Sequence, residues 1–299
     1  MGIDANGAAF LAMARHAGVD FTTTLTLGRQ SMFVDARSLD RAVRPFRPVD
    51  RDRTVAMSRP AQSYADEFMR FLGARELVAL DASDFEGAEV IHDLNSPVPS
   101  DWHLRYTLVV DGGTTEHVFN FPVALENAMR MVADDGHLVV IVPANQQLGH
   151  GLYQLSPELY FRTLCADNGF RIRCCLLRES GLRSRWLRVQ DPAERGYRLQ
   201  HAGLGPTDLF VLAQRVGDTG ELRIGQQSDY ESAWSRGGAP AVGATGPGSG
   251  WRGRVARRLG PSATVRVAGT RSLLSAWRGS GMQTVDLADI GDELIARRT

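Results

Sequence analysis

"VVDGGTTEHVFNFPVALENAMRMVADDGHLVVIVPAN", residues 109–145, decides the fold. Read from Tyr106, it opens on an apolar strand, "YTLVVDGG", that ends in Asp111 and two glycines. "FPVALENAMRMV" follows as a helix. Pro122 suits its first turn, where a missing N–H leaves no bond unmade. "GHLVVIVPAN" is again a continuous apolar run. Runs of this kind are strands buried on both faces, and strand–helix–strand units build parallel sheets.

The same texture extends in both directions. Upstream, "ELVALDAS" is a strand ending in Asp81, and "AEVIHDLN" is one ending in Asp93. "YADEFMRFLGA" (64–74) has helical apolar spacing with Gly73 as a stop. The first strand lies in "TTTLTLGRQSMFV" (22–34), where residues 24–27 reach Gly28, Arg29 and Gln30. Between them, residues 31–63 form an insert whose Pro45, Pro48 and Pro60 argue against continuous helix. Downstream, "SPELYFRTLCADNG" reads as a helix with Ser156 at the N-cap and Pro157 at N1. "FRIRCCLLRES" and "TDLFVLAQRV" close the series as strands. The fold class is α/β, a doubly wound, mostly parallel sheet. Three successive strands end in aspartate. Each alone reads as a turn or capping residue. Together, at the strand ends that line the crevice of such sheets, they point to a site.

Composition narrows the chemistry. The chain has 299 residues, 43% hydrophobic and 23% charged, with net charge +0, so nothing draws it generally to nucleic acid or membrane. All 34 basic residues are arginine. The absence of lysine excludes a Schiff-base mechanism and a Walker-type phosphate loop. Cys165, Cys174 and Cys175 have no metal spacing, and the adjacent pair should point to opposite sheet faces. A reduced, cytoplasmic protein is expected. "GAAFLAMARHAGV" reads as a short amphipathic helix rather than a signal peptide. No metal is expected: His92, Asp93, Asp111 and His117 have no ligand spacing.

The strand-end aspartates and the 109–145 stretch resemble class I S-adenosylmethionine-dependent methyltransferases, which are Rossmann-like. There an acidic residue ends the fourth strand, a Glu-His loop follows, and a helix leads to the fifth strand. Here these are Asp111, Glu116-His117 and residues 122–132. "GHGLYQLSPELYFRTLCADNGF" is similar to the family's next segment. The resemblance covers roughly residues 64–215. It implies S-adenosylmethionine as cofactor, with Asp81 at the ribose, Asp93 and Leu94 at the adenine, and Asp111 and Gly112 at the methyl-transfer end. The first strand departs from the pattern. Gly28 stands where the family has Gly-x-Gly-x-Gly, so Arg29, pairing with the methionine carboxylate, is expected to replace part of the missing backbone cradle, and Gln30 or a residue of the 31–63 stretch the rest.

For the reaction, His117 is the expected base and His150, between Gly149 and Gly151, the expected substrate contact, with Asp111 beside them. Tyr153 and Asn145 share that mouth, and Glu116 is read as a loop cap. The blander reading of each histidine is a turn residue bonded to a carbonyl. The organisation expected is a domain over 1–217, a Gly/Pro-rich linker over 218–250 and an arginine-rich extension over 251–299, with a helix within "VDLADIGDELIARR". The function expected is O-methylation of a small molecule, a sugar or specialised metabolite, in a chain that is a monomer or a homo-oligomer. The alternative is a protein of this fold that does not methylate: a binding subunit, or a lyase or cyclase reusing the crevice.

Overall fold

The computed structural model describes residues 2–58, 64–181, 184–195, 199, 201, 203, 205–223, 225–235 and 282–297. The chain opens with β1 (Gly2–Ile3) and α1 (Ala5–His16), then β2 (Thr23–Leu27) and β3 (Ser31–Met32). The insert contributes α2 (Ala36–Val43) and α3 (Arg51–Met57), parted near Pro45 and Pro48, before α4 (Asp66–Leu72). β4 (Glu76–Asp81), β5 (Val90–Ile91) and β6 (Tyr106–Asp111) follow. α5 (Phe121–Met131) leads into β7 (Val132–Asn145), α6 (Pro157–Thr163), β8 (Phe170–Glu179) and β9 (Arg185–Arg188). α7 (Pro192–Arg195), β10 (Thr207–Arg215), α8 (Ser228–Ser235), β11 (Gln283–Val285) and α9 (Leu287–Ala296) complete it.

The main sheet has nine strands in the order β11-β9-β8-β10-β7-β6-β2-β4-β5. From β5 to β7 all neighbours are parallel, and the pairs beyond β7 are antiparallel. Alternation along the strands divides the core in two. Leu108, Val110, Val139, Cys174 and Phe210 meet α1, α2, α4 and α9 on one face. Val109, Leu138, Val140, Cys175 and Val211 meet α5 and α6 on the other. Cys174 and Cys175 thus face opposite layers, as their adjacency requires.

Three expectations need correction. α1 is not an amphipathic surface helix: Phe10, Leu11, Ala12, Met13 and Ala14 are all buried, because α2 and α9 cover the side turned away from the sheet. The "AEVIHDLN" strand stops at Ile91, so Asp93 lies two residues beyond it. The helix from Pro157 ends at Thr163 and gives way to a 3-10 turn, Ala166–Asn168, and Ser156 caps it without a side-chain bond. Gly169 explains the tight exit. Its φ is +76°, and a Cβ there would lie 2.4 Å from the Asp218 carbonyl oxygen.

Residues 236–281 lie outside the described residues, and with them the 236–250 part of the expected linker and the arginine-rich 251–278. The helix expected near the C-terminal end is present as α9. Leu287, Ile290 and Leu294 bury it in the α1 layer, while β11 extends the sheet beside β9. Among the described residues no helix is long and apolar enough to cross a membrane.

One buried cation joins the two halves of the sheet. Arg215, at the end of β10, donates from Nε to the Val132 carbonyl at 2.8 Å and from Nη2 to Met129 at 2.7 Å. Its Nη1 donates to Gly217 at 3.0 Å, and the guanidinium lies 5.1 Å from the Phe170 ring centroid. It therefore satisfies carbonyls at the C-terminus of α5, where a positive charge is also favoured. Arg215→Met fills similar volume but strands these acceptors, and should cost about 2–4 kcal/mol in urea denaturation. Thiol reactivity tests the two-layer placement. Burial pushes the Cys174 thiol up to about 12 and raises the Cys175 thiol well above its ordinary value. At pH 8 the half-buried Cys165 should react with a thiol reagent well before either, each thiol being identified by peptide mass.

Candidate functional site

Strand order reverses between β2 and β6. From β2 the chain steps outward to β4 and β5, then returns to β6 and β7 on the other side. Counted alone, the five parallel strands run 3-2-1-4-5. The fold is Rossmann-like. Ligands of such sheets bind outside the carboxyl ends of the strands at that reversal, here at Gly28 and Asp111.

Gly28 turns the chain at the end of β2 with φ +70°, and its N–H donates to the Leu80 carbonyl at 2.6 Å. The left-handed conformation explains the glycine. The next two residues part company. Arg29 donates to the carbonyls of Glu86 and Gly87 at 3.0 and 2.8 Å, pairs with Asp66 at 3.4 Å, and stacks 4.1 Å from the Tyr64 ring centroid. Its two terminal nitrogens are spent on the chain's own groups, while Nε is buried without a hydrogen-bond partner, so Arg29 braces a wall of the crevice. Gln30 is 2% exposed and folds back inside. Its Nε2 donates to the Leu27 carbonyl at 2.7 Å, and its Oε1 has no hydrogen-bond partner. A Cβ on Gly112 would lie 2.4 Å from that Oε1. The space Gly112 provides is therefore occupied by Gln30.

Asp111 is 2% exposed and holds its own turn. It accepts from the N–H groups of Thr114 and Thr115 at 2.9 and 3.3 Å, and from the Thr115 hydroxyl. Thr114 in turn donates its hydroxyl to the Leu27 carbonyl, joining the ends of β6 and β2. Asp81, half-buried at the end of β4, accepts one long bond from the Ser83 N–H at 3.4 Å and keeps an accessible edge. Asp93 is exposed and accepts from the backbone and side chain of Asn95, which hold its carboxyl below the usual range. Leu94 is buried in the α5 layer beneath it.

Glu116, His117 and His150 converge just beyond Asp111. The first two sit on a 3-10 turn, Thr115–His117. His150 arrives on the loop after β7, which docks through the Leu152 and Tyr153 N–H groups to the Glu116 carbonyl at 2.9 and 3.2 Å. Tyr153 donates its hydroxyl to the Phe119 carbonyl at 2.7 Å, and Asn145 reaches the His201 carbonyl at 3.4 Å. Gly151 makes the docking fit, since a Cβ there would lie 3.0 Å from both the Cγ and the carbonyl oxygen of Glu116. Glu116 Oε1 is 3.5 Å from His150 Nε2 and 3.8 Å from His117 Nε2. The Glu116 side chain is fully buried, and neither oxygen has a hydrogen-bond partner. It is not the loop cap expected of it.

Burial, and after it the Asp111 carboxylate, push the Glu116 carboxyl up to about 8. Burial raises Asp111 as well, against the hydrogen bonds from Thr115 and Thr114 that favour its charge. No side-chain hydroxyl or neighbouring turn N–H donates to Glu116 as they do to Asp111, so burial acts on it with less to oppose it. Burial and the neighbouring His150 lower His117 and favour its neutral imidazole, which can accept a proton. Tyr160 on α6 is also fully buried, and its hydroxyl has no hydrogen-bond partner. A cavity of about 580 Å³ lies to one side, between the N-terminal parts of α5 and α6 and the 222–227 segment.

No protein-family model matches the chain, and no curated protein matches it. Solved structures similar to it include a SAM-dependent methyltransferase from Aquifex aeolicus, at 12% identity and TM-score 0.30, covering 68% of this chain and 86% of that one. Another is an N-methyltransferase from Bradyrhizobium japonicum in complex with S-adenosyl-L-homocysteine, at 11% identity and TM-score 0.33, covering 69% and 83%. A third is a branched-chain polyamine synthase from Thermus thermophilus, at 14% identity and TM-score 0.36, covering 74% and 61%.

The structure brings together Gly28, Asp111, Gly112, His117 and His150 around the strand reversal. Arg29 and Leu94 are turned to other work, and Asp93 is set apart by its own turn. Sequence reasoning missed the Glu116 carboxylate and the inward fold of Gln30. The signal for the first was in "GHG": paired glycines after β7 permit a close approach to the neighbouring β6 loop. Gln30 can be tested directly. Gly112→Ala should cost about 1–3 kcal/mol by overpacking. In a Gln30→Ala background the cost should largely vanish. A strictly additive double-mutant cycle, measured by denaturation, would mean that Gln30 does not fill this space.

Proposed function

We propose that the chain transfers a methyl group from S-adenosylmethionine to a hydroxyl of a small molecule, a sugar or a specialised metabolite. The observation that carries the reading is a set of uncommitted polar groups around the strand reversal. Asp81 keeps an accessible carboxylate edge, and Gln30 Oε1, both Glu116 oxygens and the Tyr160 hydroxyl are buried without hydrogen-bond partners. Buried polar atoms in folded chains are normally paired, so such a gathering marks a place built for something else.

The residues present fit the cofactor in part. Asp81 suits a ribose diol, since a carboxylate can accept from both hydroxyls. Gln30 Oε1 is an acceptor for the amino group, in place of the carbonyls of a glycine-rich loop. Asp111 acts indirectly, by fixing the turn that carries Glu116 and His117. When bound, the cofactor supplies an electrophilic methyl group on a sulfonium. The protein's task is to hold the acceptor oxygen in line with it, about 3 Å away. His117 and His150 stand at that mouth to take the hydroxyl proton, and Glu116 orients their Nε2 atoms.

One observation favours a second reading, a protein of this fold that does not methylate. Gln30 closes the space over Gly112 with its own side chain.

Ligand-induced melting separates the two. S-adenosylmethionine and S-adenosylhomocysteine should each stabilise the protein by mass action, by about 2.7 kcal/mol at a hundredfold excess over Kd. Asp81→Ala should weaken both at least about tenfold, equivalent to 1.4 kcal/mol. Absence of binding heat with either ligand at high micromolar concentration overturns the enzyme reading in favour of the second. Products carrying one added methylene by mass support the methyl-transfer reading.

A further inference from the structure

We infer that Glu116, His117 and His150 form a binding site for a divalent first-row transition ion of the zinc type, with a coordination position left open toward the crevice. The inference needs no cofactor and stands apart from the methyl-transfer reading.

Geometry is the first ground. One ligand atom from each residue lies within 4.8 Å of the other two, and two of the separations are 3.5 and 3.8 Å. Ligands about 2.1 Å from a tetrahedral ion stand roughly 3.4 Å apart. His117 and His150 are 43% and 49% exposed, which leaves their rings room to close the difference by rotation.

The second ground is the Glu116 carboxylate. It is fully buried, aimed at both imidazoles, and neither oxygen has a hydrogen-bond partner. Buried in that position, a carboxyl group keeps its charge only beside a compensating cation, and is otherwise held by a proton. Among the described residues with acidic, histidine or cysteine side chains, this trio is the group that comes together in this way.

The third ground is the donor chemistry. Two imidazole nitrogens and one carboxylate oxygen suit zinc and its neighbours better than the harder magnesium or calcium, which take oxygen ligands. Three protein ligands leave the fourth tetrahedral position free, the pattern of sites that act on a bound molecule rather than brace a fold. The backbone supports the arrangement. Gly151 brings the His150 loop against Glu116, and the Leu152 and Tyr153 N–H groups hold it there. Where the ion binds, the imidazoles serve as ligands, and the ion takes over the polarisation of an acceptor oxygen.

The test uses the full chain without a histidine tag, stripped with a chelator and titrated with Co2+, whose visible d–d bands report low-coordinate nitrogen and oxygen ligation. One equivalent should bind, and Zn2+ should displace it. His117→Ala and His150→Ala should each weaken Co2+ at least about tenfold, the lower bound set by losses of mere outer-shell partners. Both are substantially exposed side chains, and melting curves will show that the variants are folded. Glu116→Gln should abolish the bands. His16→Ala, at the distant α1–α9 contact, should leave binding unchanged. No saturable binding at one equivalent, or binding that survives both histidine substitutions, overturns the inference. S-adenosylmethionine is absent throughout, so failure here leaves the methyl-transfer reading intact.

Discussion

The weld between β2 and β6 is the constraint on which the rest depends. Asp111 spends its carboxylate on Thr114 and Thr115, and Thr114 passes a hydroxyl hydrogen bond to the Leu27 carbonyl. This pins together the two strands that flank the reversal of order. The turn that leaves β6 is thereby stiff, and it carries Glu116 and His117. The three donors on the buried Asp111 carboxyl favour its charge, though burial still raises its pKa. A second carboxyl a few residues away, that of Glu116, has no hydrogen-bond partner, and that contrast gives the site its chemical character.

Much of the fold was legible because the central strands are buried on both faces. Runs such as "YTLVVD" and "LVVIV" carry few readings other than strand, and the helix between them is marked by Pro122. The boundaries failed where tertiary context overrides local pattern. α1 looks amphipathic in isolation, yet α2 and α9 bury the face its sequence leaves only weakly polar. "AEVIHDLN" has the composition of a strand, but the chain beyond Ile91 turns through Asp93 and Asn95 and is anchored by Asn127 to α5. β9 and β11 had no clear signature, because strands of four and three residues are too short to show a periodic pattern.

The site divides along the same line. Residues whose role is set by their place on a strand, such as Gly28, Asp81 and Asp111, were visible as strand ends. Residues whose role depends on what approaches them were not. Glu116 reads as a polar loop residue until the His150 loop is laid across it. Gln30 reads as part of an open cofactor cradle until Gly112 is seen to accommodate its side chain. Arg29 had the right chemistry for a carboxylate, but Asp66 and two carbonyls were nearer.

The closure of α1 by α9 has a consequence for how the chain assembles. His16 and Asp292 are bonded at 3.2 Å across 276 positions of sequence. The apolar surface that α1 presents to α9 therefore stays uncovered until a segment 276 positions further along has been made. Contacts of such long sequence separation form late and slowly. The parallel half of the sheet, complete by Asn145, can gather first, while the α1 layer waits. Any agent that shelters exposed apolar helices would find its substrate at this N-terminal end.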